Sequence, residues 1–386
     1  MREIGKQILK SKKVIIISIL ILILIVLSIS LYISQKEVRD WVDIHILGKN
    51  LTEDDIESIS LNTDKNNQIH VYSKYIAVLN DKAVTLYNSY GEKVTSIDVN
   101  INAAVFDSSD KYLAIAENNG HEVCLILDKT YLWSETIEGE ILQVHVNKNG
   151  YVGVVTTDVT HKSILTVYNS GGKKLFTSYF ASTRIIDVSI SEDNKYIAIG
   201  DIDTSGTILK SAVKIISTKN AEEDPDNTII YTYEAEDGIL IANVKYQSKG
   251  QISCIYDNGI GIIKDESYNE ILKIDSDNIT YIANDLKNDI AYVVEESTGF
   301  FKATSNVHIV NTANSNENIY KLENVAKEVY AKDNIIAINV GTEIYFINTG
   351  GWLVKKYTAN QEITNVKFSD SLAAIIYKDK IVIVSL

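Results

Sequence analysis

Proline is almost missing from this chain. One residue in 386, Pro225, is all there is, and it sits in the acidic stretch Glu222-Glu223-Asp224-Pro225-Asp226. Strands elsewhere are free of a residue that cannot donate to a ladder. Cysteine is nearly as scarce, with only Cys124 and Cys254. That excludes a disulfide scaffold and a cysteine-rich zinc module. Both thiols fall inside apolar segments, where buried core residues are expected. Basic charge is in deficit: 37 Lys plus Arg face 51 Asp plus Glu, a formal net charge of -14. A nucleic-acid binder needs a basic stripe to release counterions, so no nucleic-acid partner is expected. Charged residues make up 23% and hydrophobic ones 45%, which excludes wholesale disorder.

Reactive motifs are missing too. His45, His70, His121, His145, His161 and His308 show no His-x-x-x-His or His-Glu-x-x-His spacing, the arrangement that puts two metal ligands on one helix face. A Ser-nucleophile elbow, a P-loop and a dinucleotide glycine motif are absent. The chain is therefore not expected to be an enzyme or to carry a cofactor.

What is present begins with residues 14–33, twenty residues without a charge, whose polar members are Ser18, Ser28, Ser30 and Tyr32. At about 1.5 Å per residue a helix of this length spans about 30 Å, the thickness of a bilayer core. A cleavable signal peptide has a shorter apolar region ending in small residues, so a transmembrane helix is the expectation. Arg2, Lys6, Lys10, Lys12 and Lys13 precede it, opposed by Glu3; Lys36 and Arg39 follow, mixed with Glu37 and Asp40. The positive end stays in the cytoplasm. This divides the chain into a basic cytoplasmic tail (1–13), a single span (14–33), a juxtamembrane linker with room for a short helix carrying Val38, Trp41 and Val42 (34–55), and an extracytoplasmic domain (56–386). Residues 14–386 keep 32 basic and 50 acidic residues, a net charge of -18.

Beyond residue 60, apolar runs of four to six residues alternate with Asn, Asp, Gly and Ser clusters, the pattern of strands and turns. The runs recur as a unit. Ile69-His70-Val71-Tyr72 precedes Tyr75-Ile76-Ala77-Val78-Leu79, and Leu142-Gln143-Val144-His145 precedes Tyr151-Val152-Gly153-Val154-Val155. One small residue marks the second run of each unit: Ala77, Ala114, Gly153, Ala198, Ser253, Ala291, Ala337 and Ala374, 37 to 55 residues apart. A period near 40 signals a propeller. The expected fold is all-β, a β-propeller of eight blades, or seven if one unit is not a blade. The last unit has three strands and ends at Ile381-Val382-Ile383-Val384, while Ile56-Glu57-Ser58-Ile59-Ser60-Leu61 is a spare segment at the start. The spare segment is expected to complete the last blade and remove two open edges.

Third strands end in turns such as Asn88-Ser89-Tyr90-Gly91, Asn169-Ser170-Gly171-Gly172 and Asn348-Thr349-Gly350-Gly351-Trp352. These resemble the repeat of quinoprotein-type propellers and, more loosely, of WD-repeat ones. The docking tryptophan of quinoprotein repeats is matched once at best, by Trp352, and their adjacent cysteine pair is missing. The layout of basic tail, single span and acidic propeller resembles an uncharacterised Firmicutes family of single-pass membrane-anchored propeller proteins, a resemblance that implies no activity.

Two sets of residues are candidates for a site. Glu140, Arg184, Asp237, Asp277 and Glu362 stand just before innermost strands, at one mouth of the axial channel. Converging loops of this kind bind ligands, here a cationic group or a metal. Asp201, Asp203 and Ser205 resemble the opening of a calcium loop, but its twelfth position, which should supply a bidentate carboxylate, is Ala212. The function expected is a non-catalytic protein-interaction or scaffold module at the cell envelope, partnered with the membrane and with envelope proteins. The alternative is an extracytoplasmic enzyme or a small-ligand or cation binder using the acidic channel mouth.

Overall fold

A short apolar run covered on both faces becomes the central strand of a stacked sheet. The computed structural model describes residues 2–52, 56–224, 227–247, 250–265, 267–273, 279–297 and 303–386, and its sheets follow that rule. Tyr75–Asn80, Val152–Thr157 and Ser163–Tyr168 are buried along nearly their whole length, whereas the outer strand Thr130–Thr136 buries only Trp133. Eight sheets form, each an antiparallel meander of four strands; one gains a fifth strand and another borrows its outermost strand from the chain's start. The chain is an eight-bladed β-propeller, blade 1 beginning at Gln68–Tyr72 and blade 8 at Asn365–Phe368.

Each blade buries its faces only against its neighbours. The described buried residues sort into eight clusters, and each straddles two consecutive blades. One joins Leu79 and Leu86 of blade 1 to Leu113 and Ile126 of blade 2. The cluster that shuts the ring joins Ile381 and Ile383 of blade 8 to Ile76 and Val78 of blade 1. Ala77, Ala114, Ala198, Ala291, Ala337 and Ala374 each lie in the cluster shared with the following blade. Small residues recur there because adjacent sheets converge toward the axis.

The Asn-Gly turns have a common cause. Asn88 Oδ1 accepts from the N–H groups of Tyr90 and Glu92, Asn169 Oδ1 from those of Gly171 and Lys173, and Asn348 Oδ1 from those of Gly350 and Trp352. In all three the fourth residue is a glycine with positive φ: 72° at Gly91, 81° at Gly172 and 74° at Gly351.

Before blade 1 the chain makes two helices, α1 (Arg2–Ser34) and α2 (Lys36–His45), and two short strands, β1 (Asn50–Thr52) and β2 (Ser58–Ser60). Ile17–Ser34 of α1 is long and apolar enough to cross a membrane, with a mean hydropathy of 2.8. β1 pairs in parallel with Leu353–Thr358, the outer strand of blade 7. β2 pairs antiparallel with the last strand, Lys380–Ser385, in the register Ser58 to Val382, Ile59 to Ile381 and Ser60 to Lys380. The spare segment therefore does complete blade 8. Glu222 and Glu223 end a short helix, α3 (Thr218–Glu223), whose N-cap Ser217 accepts from the Asn220 N–H; Pro225 and Asp226 lie outside the described residues.

Closure by β2 predicts a measurable loss. Ile59 is buried against Val71, Ile76 and Ile383, so Ile59→Ala should cost about 2–4 kcal/mol, read as a lower denaturation midpoint. Ser58→Ala, at an exposed site of the same strand, should change it little. Equal midpoints for both variants would contradict the closure.

Candidate functional site

Eight sheets around an axis leave a channel too wide for apolar side chains to fill, so polar groups line it and must satisfy one another. The residue directly across from each small residue belongs to the innermost strand. These are His70 opposite Ala77, Asp107 opposite Ala114, His145 opposite Gly153, Ser189 opposite Ala198, Lys245 opposite Ser253 and Lys367 opposite Ala374. Blades 6 and 7 place Ala283 and Tyr330 there. His70, Asp107, Ser189 and Lys245 are each tied to the next blade. His70 Nε2 is 2.8 Å from Ser108 Oγ, and its ring stacks on Phe106. The Val146 N–H donates to Asp107 Oδ2 at 2.7 Å. The Tyr246 N–H donates to Ser189 Oγ at 2.9 Å, and Lys245 Nζ pairs with Asp285.

One lysine crosses the ring. Lys332 Nζ, from blade 7, lies 3.0 Å from Asp285 Oδ2 of blade 6 and donates at 2.9 Å to the Ser108 carbonyl of blade 2. Asp285 is thus held between two ammonium groups at the C-terminal ends of the innermost strands. A cavity of about 710 Å³ opens at that end, with seven carboxylates and four lysines in its wall.

Burial pushes the Asp285 carboxyl up, but Lys245 and Lys332 outweigh it and hold the group at about 2. Cavity solvent reaches 41% of that side chain. Burial works against the Lys332 ammonium; Asp285, Asp107 and Asp333 overcome it and raise its pKa. Burial, aided by Lys332 and Lys367, takes the His70 imidazole down to about 3, so it is neutral near pH 7. Asp187 moves the other way: burial raises it, and His145 and the N–H groups of Val244 and Val188 offset part of the rise. Lys245 and Lys332 thus clamp the Asp285 carboxylate from two sides. Among the described residues, Asn243 Oδ1 and Asn284 Nδ2 in the cavity wall have no hydrogen-bond partner.

The residues picked from the sequence stand elsewhere. Glu140 and Arg184 are exposed near the start of innermost strands whose other ends, at Val146 and Ile190, line the cavity. Asp237 lies before Ile241–Tyr246 and is 4.0 Å from Lys210. Glu362 lies before Asn365–Phe368 and pairs with Lys327 at 3.2 Å. Asp277 lies outside the described residues. Among the described residues no hydrogen bond or ion pair joins any two of this set. None of those described lines the 710 Å³ cavity, and a second depression, of about 620 Å³, is lined by Lys327 and Glu343 among others.

At the loop compared with a calcium site, Asp201 pairs with Lys214, and Asp203 Oδ1 accepts from the Ser205 N–H and hydroxyl. Among the described residues no three His, Cys, Asp or Glu side chains are grouped to hold a metal. Cys124 and Cys254 are free and buried, and burial pushes each thiol up to about 12.

Sequence reasoning missed the inner-strand polar residues, although a signal was there. Gln143/His145, Asn243/Lys245 and Asn365/Lys367 alternate with apolar neighbours at period two, one face toward each adjoining blade.

The chain belongs to the family of unknown function DUF5711, whose model matches residues 49–386. No curated protein matches it. Among solved structures it is similar to the C-terminal WD40 domain of Sif2, at 11% identity and a TM-score of 0.55, covering 86% of this chain and 99% of that one. It is also similar to BamB from Moraxella catarrhalis, at 10% identity and a TM-score of 0.48, covering 86% and 99%. A third is Kuenenia stuttgartiensis hydrazine synthase, at 10% and 0.43, covering 82% and 94%. At such identities the likeness is one of fold alone.

The His70 environment sets an acid sensitivity. Its folded-state pKa of about 3 lies below the ordinary 6.5. Between those values the unfolded chain binds a proton that the folded chain refuses, so stability falls as pH drops from about 6.5 toward 3. Asp285 adds a loss only below its ordinary 3.8, as pH falls toward about 2. His70→Asn should therefore flatten the stability profile between pH 6.5 and 4.5. An unchanged slope in urea titrations would contradict this environment.

Proposed function

We propose that this DUF5711 member is a membrane-anchored, extracytoplasmic β-propeller that works as a non-catalytic interaction or scaffold module at the cell envelope. The observation that carries the reading is the pairing of one apolar helix, basic on its N-terminal side, with a closed ring in which Lys245 and Lys332 are both engaged by Asp285. Helix Ile17–Ser34 has the length and hydropathy of a span, and the five basic residues before it favour a cytoplasmic N-terminus. A rigid ring with loops on both faces suits the holding of a protein partner.

A second reading has a specific observation behind it. Among the described residues Asn243 Oδ1 and Asn284 Nδ2 in the cavity wall lack partners, and a buried polar group left unpaired costs free energy that a ligand can recover. A small polar or cationic ligand in the cavity, or at the opposite mouth near Glu140, Arg184, Asp237 and Glu362, is this alternative. The Asp201, Asp203 and Ser205 loop is its weakest form, as a calcium site.

Topology is tested with Tyr179→Cys, a site 62% exposed on blade 3. A membrane-impermeant thiol reagent should label it in intact cells, the native thiols being buried; labelling only after lysis would place the ring inside. Proximity labelling from the intact surface should then recover a specific protein, and a background-only result would remove the scaffold reading. For the alternative, native mass spectrometry of the purified chain should show a retained small molecule. Asn284→Leu should abolish it if the cavity holds it, and Glu140→Ala with Asp237→Ala if the opposite mouth does; an unloaded chain would contradict the alternative.

A further inference from the structure

The segment between α1 and the ring has two unlike faces. One is docked. The Arg39 guanidinium lies 4.4 Å from the centre of the Trp352 ring on blade 7. Ile44 packs against the cluster shared by blades 6 and 7. Asp43 is fully buried, 3.0 Å from Lys49 Nζ, and Lys49 in turn donates to the Leu353 carbonyl of blade 7. Away from the ring, four apolar side chains are open: Val38 is 39% exposed, Trp41 58%, Ile46 64% and Leu47 56%. Exposed apolar residues grouped this way on a soluble surface would be a liability, so they point to a partner.

The level of this face is fixed by one contact. Tyr32, in the last turn of α1, donates its hydroxyl to Asp43 Oδ1 at 2.8 Å. Were α2 a straight continuation of α1, those residues would stand about 16 Å apart along the axis. The chain instead breaks at Gln35, which takes an extended conformation (φ -114°, ψ 110°), and the far end of α2 returns to the end of the apolar helix. Both ends of α2 therefore lie where hydrocarbon gives way to headgroups, if α1 spans. An apolar face with an indole, beside Arg39, has the composition that settles at that boundary.

We propose that α2 is an interfacial helix. Val38 and Trp41 of this helix, with Ile46 and Leu47 just beyond its end, rest in the headgroup boundary of the bilayer that α1 crosses, and they hold the outer edge of blade 7 against that bilayer. This rests on the reading of α1 as a span. The partner is lipid, because the Tyr32–Asp43 hydrogen bond keeps these residues beside the end of α1 and the ring already occupies the other side of the helix.

The test uses the full chain in phosphatidylcholine–phosphatidylglycerol nanodiscs. Single spin labels are placed at Trp41→Cys, Leu47→Cys, Leu24→Cys within α1 and Tyr90→Cys on blade 1, with the native thiols too buried to react. Collision with a water-soluble nickel chelate should be about ten-fold lower at 41 and 47 than at 90, and collision with oxygen higher. Chelate access at 41 and 47 equal to that at 90, with 24 still shielded, would overturn the interfacial helix and leave the span standing. Chelate access at 24 would overturn the span and this inference with it. Shielding of 41 and 47 from both relaxants would show a protein packed there instead, and would overturn the lipid assignment.

Discussion

Each blade depends on its neighbours for burial. A four-stranded sheet with two apolar faces cannot be stable alone in water, and here the middle strands offer almost no polar face. Burial of Ile, Val and Leu at about 25 cal/mol per Å² supplies the driving force, but it is realised only when every sheet has a sheet on both sides. Eight inter-blade clusters meet that condition, the last of them requiring β2 from the chain's start. Ring closure and core formation are one event.

Closure dictates the rest. Because β1 and β2 are consecutive, the chain leaving α2 is fixed first to the edge of blade 7 and then to the edge of blade 8 before blade 1 begins. Load between helix and ring would be shared by two neighbouring blades through strand hydrogen bonds, without a free linker between β1 and the ring. The same geometry leaves the axis unfilled, and the sequence answers with charge. His70, Asp107, Ser189 and Lys245 each tie a blade to the next, while Lys332 ties blade 7 to blades 6 and 2. The axial groups are thus structural first. Whatever the cavity binds must compete with, or complete, this network.

Much of the fold was legible in the sequence for a physical reason. Double-sided burial forces continuous apolar runs, and crowding near the axis forces a small residue at one place in each unit, so Ala77, Ala114 and their counterparts counted the blades. The closing strand was legible because residues 56–61 alternate and the last unit is one strand short. The cavity was not legible in the same way. Its groups come from eight places far apart in sequence, and reading the inner strands as apolar runs hid His145, Lys245 and Lys367. Glu140 begins an innermost strand and Asp237 precedes another, and among the described residues no hydrogen bond or ion pair joins them. The role of Trp352 also lay beyond sequence reasoning, since its partners Arg39 and Tyr32 come from the helices rather than from another blade.

The ring is sealed where β2 pairs with the last strand of blade 8. The most direct measurement is disulfide formation in Ser60→Cys/Lys380→Cys, a directly paired position across that seam. Under mild oxidation of the native protein, mass spectrometry should find one 60–380 disulfide, with Cys124 and Cys254 still reduced and the thermal midpoint raised. Two free engineered thiols in a folded chain would contradict the closed ring.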